Sequence, residues 1–251
     1  SSGFPTSSIF GSSQFLLKLL NEEKPDYIMA ACDSPEKTFR HEMYEAYKAN
    51  RPPMPKDLVS QIEPINQIIE ALGIKLLSIE GVEADDVIGT LAKQASEKGI
   101  DTVISTGDKD MTQLVDKHIK VVNTMKNELL DERGVKNKFG VEPKLIIDYL
   151  ALIGDTSDNV PGVEKVGPKT AVKWLSEFGN LENIIKRADE ISGKVGENLR
   201  SGLDQLELSK KLVTIKKDVS LKVDIKDLIV GKKNDELLQQ IYTELEFKAW
   251  L

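Results

Sequence analysis

The 251-residue sequence holds a single cysteine, Cys32, and only two histidines, His41 and His118. One cysteine excludes an internal disulfide framework, and two histidines leave little material for imidazole general-base chemistry or a histidine-rich zinc site. Aromatic residues amount to 6%. No apolar run approaches the roughly 20 residues that a membrane-spanning helix needs, and nothing resembles a signal peptide. The expectation is a cytosolic protein with no membrane partner. Whatever chemistry the chain performs must be carried by carboxylates.

Apolar residues make up 40% and charged residues 30% of the sequence, an ordinary globular composition. The length suffices for one large α/β domain with a smaller helical appendage. A net charge of -7 and a pI of about 5.1 argue at first against a nucleic-acid partner, because a phosphate backbone is normally met by a basic surface. Distribution reverses that argument. Much of the acidity falls in short clusters that divalent ions would neutralise, while lysine and arginine gather elsewhere.

Up to about residue 142, short apolar runs alternate with helical periods. Residues 27–33 (YIMAACD), 75–79 (KLLSI), 102–106 (TVIST) and 120–124 (KVVNT) read as strands, and 9–21, 58–72 and 84–98 as amphipathic helices. Such alternation predicts an α/β fold with a mostly parallel central sheet flanked by helices, binding ligands at the carboxyl ends of its strands. Beyond residue 142 helical segments take over, at 143–153, 169–178, 181–188, 197–215 and 234–247. We therefore divide the chain into an α/β core over 1–142 and a helical subdomain over 143–251.

Each acidic cluster is read as falling where a predicted strand gives out. Asp33 closes YIMAACD; Glu83, Asp85 and Asp86 follow KLLSIEG; Asp108 and Asp110 follow TVISTG; Asp155 and Asp158 lie in IGDTSDN. Singly, each has a plain structural explanation: carboxylates favour helix N-termini, and Gly-Asp-Lys-Asp suits an Asx turn. Four clusters at one sheet edge are not explained that way, since crowded like charges repel unless protons or cations neutralise them. An all-oxygen set without Cys or His pairing suits magnesium or manganese. Two such ions about 4 Å apart would activate water and stabilise the leaving oxygen of a phosphodiester.

Two further segments bear on a nucleic-acid partner. Residues 37–51 (KTFRHEMYEAYKANR) read as a helix that is either solvated, with i,i+4 pairs such as Glu36 and Arg40, or a grip on phosphate and base through Lys37, Arg40, Tyr47, Lys48 and Arg51. Residues 161–171 (PGVEKVGPKTA) read as two glycine turns entering a helix. There the backbone of Gly162, Val163, Val166 and Gly167, with Lys169 and Thr170, would receive a phosphate without reading a base. A P-loop is rejected, because Pro168 separates Gly167 from Lys169 and helix rather than strand precedes it.

Together, GVEADDVIGTLA (81–92), STGDKDM (105–111), GDTSDNVPGV (154–163), VGPKTA (166–171) and KTFRHEMYEAYKANRPPMP (37–55) closely resemble the 5′ nuclease domain of bacterial DNA polymerase I, within the flap endonuclease family, from about Gly3 to Trp250. The resemblance implies a PIN-like 5′ nuclease fold that removes 5′ flaps and RNA primers from DNA in replication and repair. It implies a helical arch over about 36–56 and a helix-hairpin-helix-type DNA clamp over about 150–178. Asp33, Glu83, Asp85 and Asp86 would surround one magnesium and Asp108, Asp110, Asp155 and Asp158 a second, with manganese as substitute. Lys48 and Arg51 would act catalytically from the arch, Tyr47 would contact DNA beside them, and carbonyls of the clamp turn would hold potassium. Members of this family open with an apolar strand ending in Asp-Gly, and the present chain starts at SSGFPT, after that point. We expect that strand to lie in preceding residues; the alternative is a module that binds branched DNA without cutting it. Polymerase domains covalently joined to this one are a further expected partner, in a bacterial cytosol or nucleoid.

Overall fold

The computed structural model describes Gly3 and residues 5–246; Phe247, the last residue of the expected terminal helix, and Trp250, where the resemblance ends, lie outside the described residues. The chain divides into two compact units, drawn from the described residues of Ser1–Ser34, Pro52–Ile79 and Ser220–Leu251, and of Pro35–Arg51 and Glu80–Val219.

In the first unit, helix α1 (Ser7–Glu23) runs beside α3 (Lys56–Ala71), and α11 (Asp235–Glu244) completes the layer. Thr6 makes no side-chain cap to α1. Instead, Gln61 of α3 is buried with its Oε1 accepting the backbone N–H groups of Ser8 (2.7 Å) and Ile9 (3.1 Å), two donors that a helix start leaves open. Ile9 and Leu16 pack with Ile68, Leu72, Leu238 and Ile241. Strands β1 (Met29–Ala31) and β2 (Lys75–Leu77) pair in parallel, Met29 against Lys75 and Ala31 against Leu77. Gly73, at φ +84°, turns the chain into β2 so close to Gly231 that a Cβ would meet the Gly231 carbonyl oxygen at 2.2 Å. Glycine is required there.

In the second unit, β3 (Thr102–Ser105) lies parallel to β4 (Ile119–Asn123), which returns antiparallel as β5 (Glu128–Leu130). Helix α4 (Ala84–Glu97) covers β3. Beyond the sheet come α5 (Glu132–Phe139), α6 (Ile146–Ile153), α7 (Pro168–Phe178), α8 (Leu181–Lys186), α9 (Gly193–Ser201) and α10 (Leu203–Val213). Their apolar faces meet in one core that includes Met111, Leu150, Leu152, Ile184, Leu199 and Leu206.

The α/β class and the parallel pairings agree with the sequence reading, but the described strands form two small sheets, one in each unit, rather than one. Strand-helix periodicity reports which segments are strands and not which strands pair. Strand β5 was not anticipated, and the helix expected over 197–215 is two helices broken at Gly202, a poor helix former.

The arch segment differs most. Among residues 36–56 only α2 (Phe39–Met43) and the first residue of α3 are helical; 45–50 form successive turns and Lys48 takes a left-handed φ of +57°. Lys48 and Arg51 therefore lie outside any helix, in contrast to the helix that the sequence predicts over 37–51.

Candidate metal centre

The second unit brings two acidic segments together, and the arch segment links them to a third at the start of α4. Past β3, the Thr106 hydroxyl accepts the backbone N–H of Asp108 (3.1 Å), and Asp108 Oδ1 accepts that of Asp110 (2.9 Å), which starts a 3₁₀ turn over Lys109–Leu114. Asp108 stays exposed while Asp110 turns inward. At the end of α6, Gly154 reverses the chain, and Asp155 and Val160 close a six-residue loop through paired backbone bonds of 3.0 and 2.8 Å. Asp155 Oδ1 accepts the Ser157 N–H (2.9 Å) and hydroxyl (2.6 Å), an Asx turn.

Carboxylate oxygens of Asp110, Asp155 and Asp158 all lie within 4.8 Å of one another. Burial, reinforced by the charges of Asp108 and Asp155, pushes the Asp110 carboxyl up to about 7. Burial also raises Asp158, against the opposing pull of Lys48 and Arg51. Asp155 is held below the ordinary range: burial works against this, but the Ser157 hydroxyl, Lys109 and the amides of the turn outweigh it.

The arch segment is tied to the same loop. Lys48 N–H donates to the Asp158 carbonyl (2.8 Å), Asn50 Nδ2 to the Thr156 carbonyl (2.8 Å) and Asn159 Nδ2 to the Ala46 carbonyl (2.7 Å), while the Arg51 guanidinium pairs with the Asp158 carboxylate. The third segment is the start of α4. Glu83 is buried and accepts hydrogen bonds from the Tyr47 hydroxyl (3.0 and 3.1 Å), from Lys48 and from Arg40. Asp85 is half-buried in the first helical turn.

Several expected site residues are placed differently. Tyr47 is buried, with its hydroxyl held protonated by burial and by the Glu83 charge, so its ring is not offered to a base. Arg40 and Asp86 are buried against each other, Arg40 Nη2 donating to Asp86 Oδ1 at 2.8 Å. Asp33 belongs to the first unit, exposed just past β1, and Lys37 is exposed ahead of α2. In the turn before α7, Val163 and Val166 bury their side chains and Gly162 presses on Ile153, so this turn presents backbone, with Lys169 exposed and Thr170 half-buried at the helix start. Asn50, Ser157 and Asn159 were missed. Ser157, two residues after Asp155, carried an Asx-turn signal; the two asparagines act across more than 100 residues and carried none.

The donors fit a hard divalent cation. They are all oxygen, and Asp110 Oδ1 is buried without a hydrogen-bond partner, an arrangement that a cation would satisfy.

Residues 1–140 match the model of the 5′-3′ exonuclease N-terminal, resolvase-like domain and residues 141–236 that of the 5′-3′ exonuclease C-terminal SAM fold. The 5′-3′ exonuclease of Aquifex aeolicus is 43% identical over 100% of this chain and 86% of its own. DNA polymerase I of Pseudomonas aeruginosa is 48% identical over 100% of this chain, which spans 28% of that protein. Among solved structures, the T5 D15 protein co-crystallised with metal ions superposes with a TM-score of 0.75 at 22% identity, covering 96% of this chain and 92% of that one. The catalytic core of Rad2 in complex with DNA substrate gives 0.60 at 18% identity over 96% and 81%. The chain belongs to the 5′-3′ exonuclease family, and it is a nuclease. Among the described residues no helix is long and apolar enough to cross a membrane.

Proposed function

We propose that this chain hydrolyses phosphodiesters at the 5′ end of flapped or branched DNA, and of RNA primers on DNA, by a two-magnesium mechanism in which manganese substitutes. The observation that carries the reading is the convergence of Asp110, Asp155 and Asp158, with a buried Asp110 oxygen lacking any partner, beside Lys48 and Arg51 of the arch segment. One ion would be held by Asp108, Asp110, Asp155 and Asp158, and the other by Glu83 and Asp85. Bound there, the ions supply Lewis-acid activation of water and of the leaving oxygen. Lys48 and Arg51 supply fixed positive charge for the phosphate oxygens as charge develops on them.

The turn over 161–167 and the start of α7 are the proposed duplex contact. Val166 N–H closes on the Val163 carbonyl (3.0 Å) and Lys165 stands in a left-handed conformation, so the backbone and Lys169 meet phosphates with no side chain placed to read bases. Carbonyls of this turn are the proposed seat of a potassium ion. Where the domain is joined to a polymerase, as in the longer relatives, it would act in primer removal during replication and repair.

A labelled 5′-flap substrate tests the reading. Magnesium should shorten it and a chelator should stop the reaction; a substrate that is retarded in a gel but never shortened would reduce the chain to a binding module.

A further inference from the structure

Arg40 has all five N–H donors committed inside the protein. Nε donates to the Leu212 carbonyl (2.9 Å), Nη2 to the Thr214 carbonyl (2.8 Å) and Asp86 Oδ1 (2.8 Å), and Nη1 to Asp86 Oδ2 (2.8 Å) and to Glu83. Asp86 is just as fully committed. Its Oδ1 also accepts the backbone N–H of Lys216 (2.9 Å) and its Oδ2 that of Glu83 (2.9 Å), so each oxygen already holds two donors. Both side chains are almost wholly shielded from solvent, at 3% and 0% exposure.

We propose that Asp86 is the counter-ion of Arg40 rather than a metal ligand, and that Arg40 is a positioning residue. It fixes the Glu83 carboxylate at the start of α4 and ties the 212–216 strap against it. The fork geometry of a guanidinium suits this task, since one planar group bridges two carboxylates and two carbonyls at defined angles. Four N–H groups fill the four lone-pair sites of Asp86 and leave none for a cation, whereas Glu83 receives three hydrogens, from Arg40, Lys48 and a Tyr47 hydroxyl shared between its oxygens, and keeps a site open; the saturated guanidinium likewise has no donor for a phosphate. The pair therefore acts on the reaction only through Glu83.

This inference rests on the metal-dependent nuclease reading, and the test keeps the two apart. Asp86→Asn, Arg40→Lys and Asp155→Asn are compared with the parent chain for manganese binding, followed by the paramagnetic resonance of free ion, for thermal unfolding and for kcat and KM on a 5′-flap substrate. Asp155→Asn should weaken manganese binding at least tenfold. Asp86→Asn should weaken it less than threefold while lowering Tm by about 10 °C, because it leaves the Arg40 charge buried and underpaired. Arg40→Lys keeps the charge but not the fork, so Tm and kcat should fall while KM and the number of bound manganese ions hold. The double variant Arg40→Gln with Asp86→Asn, which removes both charges, carries the same manganese comparison should Asp86→Asn alone not fold. Loss of manganese affinity in the Asp86 variants equal to that in Asp155→Asn would restore Asp86 as a ligand and overturn the proposal. Parental kcat and Tm in Arg40→Lys would remove the positioning role. If Asp155→Asn itself keeps manganese affinity, the metal reading fails instead, and the buried pair is judged on Tm.

Discussion

The backbone N–H of Lys48 is bonded to the Asp158 carbonyl at 2.8 Å, while the Lys48 ammonium pairs with Glu83. One residue thus joins the loop after α6 to the start of α4. Its backbone there is left-handed, at φ +57°.

Arg51 pairs with Asp158 from the same segment, so both cations stand among the proposed ligands. If they stabilise charge that develops in the transition state, removing either lowers the chemical step more than it weakens binding. Lys48→Ala and Arg51→Ala should each cut the single-turnover rate on a 5′-flap substrate by about 10² to 10³. The accompanying loss of affinity should be at least about tenfold smaller than the loss in rate. Affinity falling in step with rate would make them positioning contacts only.

Asp110 gives a signed pH dependence. Its folded carboxyl is raised to about 7, whereas an unfolded one ionises near about 3.9. In that window the native state binds more protons than the unfolded state, so stability is fully present below about pH 4 and is lost as pH rises through 7. Without divalent ions, the parent should therefore lose Tm between pH 5 and 8, and Asp110→Asn should lose less. Magnesium should abolish the difference in slope by neutralising the carboxylate. Parallel Tm profiles for the two metal-free proteins would show that Asp110 is not raised.

For the turn before α7, Lys169→Ala should weaken duplex binding about equally for all sequences. It should also lower the salt slope by about one phosphate contact. A loss that depends on sequence would mean base reading, and an unchanged slope would take Lys169 out of the interface.

The motifs that define the family were legible because they are local. GVEADDVIGTLA places Glu83 and Asp85 at a helix start, and STGDKDM places Asp108 as the cap of a short turn. Most helix and strand identities followed from periodicity, but β5 and the turns over 45–50 did not. Side-chain direction within the arch segment did not. Arg40, Tyr47 and Lys48 read as surface cations and an aromatic on a polar helix, yet all three converge on Glu83, more than 30 residues away. Burial of Asp86 was equally hidden, since the three acidic residues among 83–86 look alike until the helix turns one of them toward Arg40. Strand pairing was invisible for the same reason: contacts between distant segments leave no local period.

Manganese binding to the parent and to Asp110→Asn, with 5′-flap cleavage and flap binding measured on the same samples, tests the central claim most directly. Asp110 is the carboxylate whose buried oxygen lacks a protein partner, so its amide variant should lose at least about tenfold in manganese affinity and nearly all cleavage while binding the flap almost as tightly as the parent. An Asp110→Asn protein that binds manganese and cuts the flap as the parent does would contradict the account.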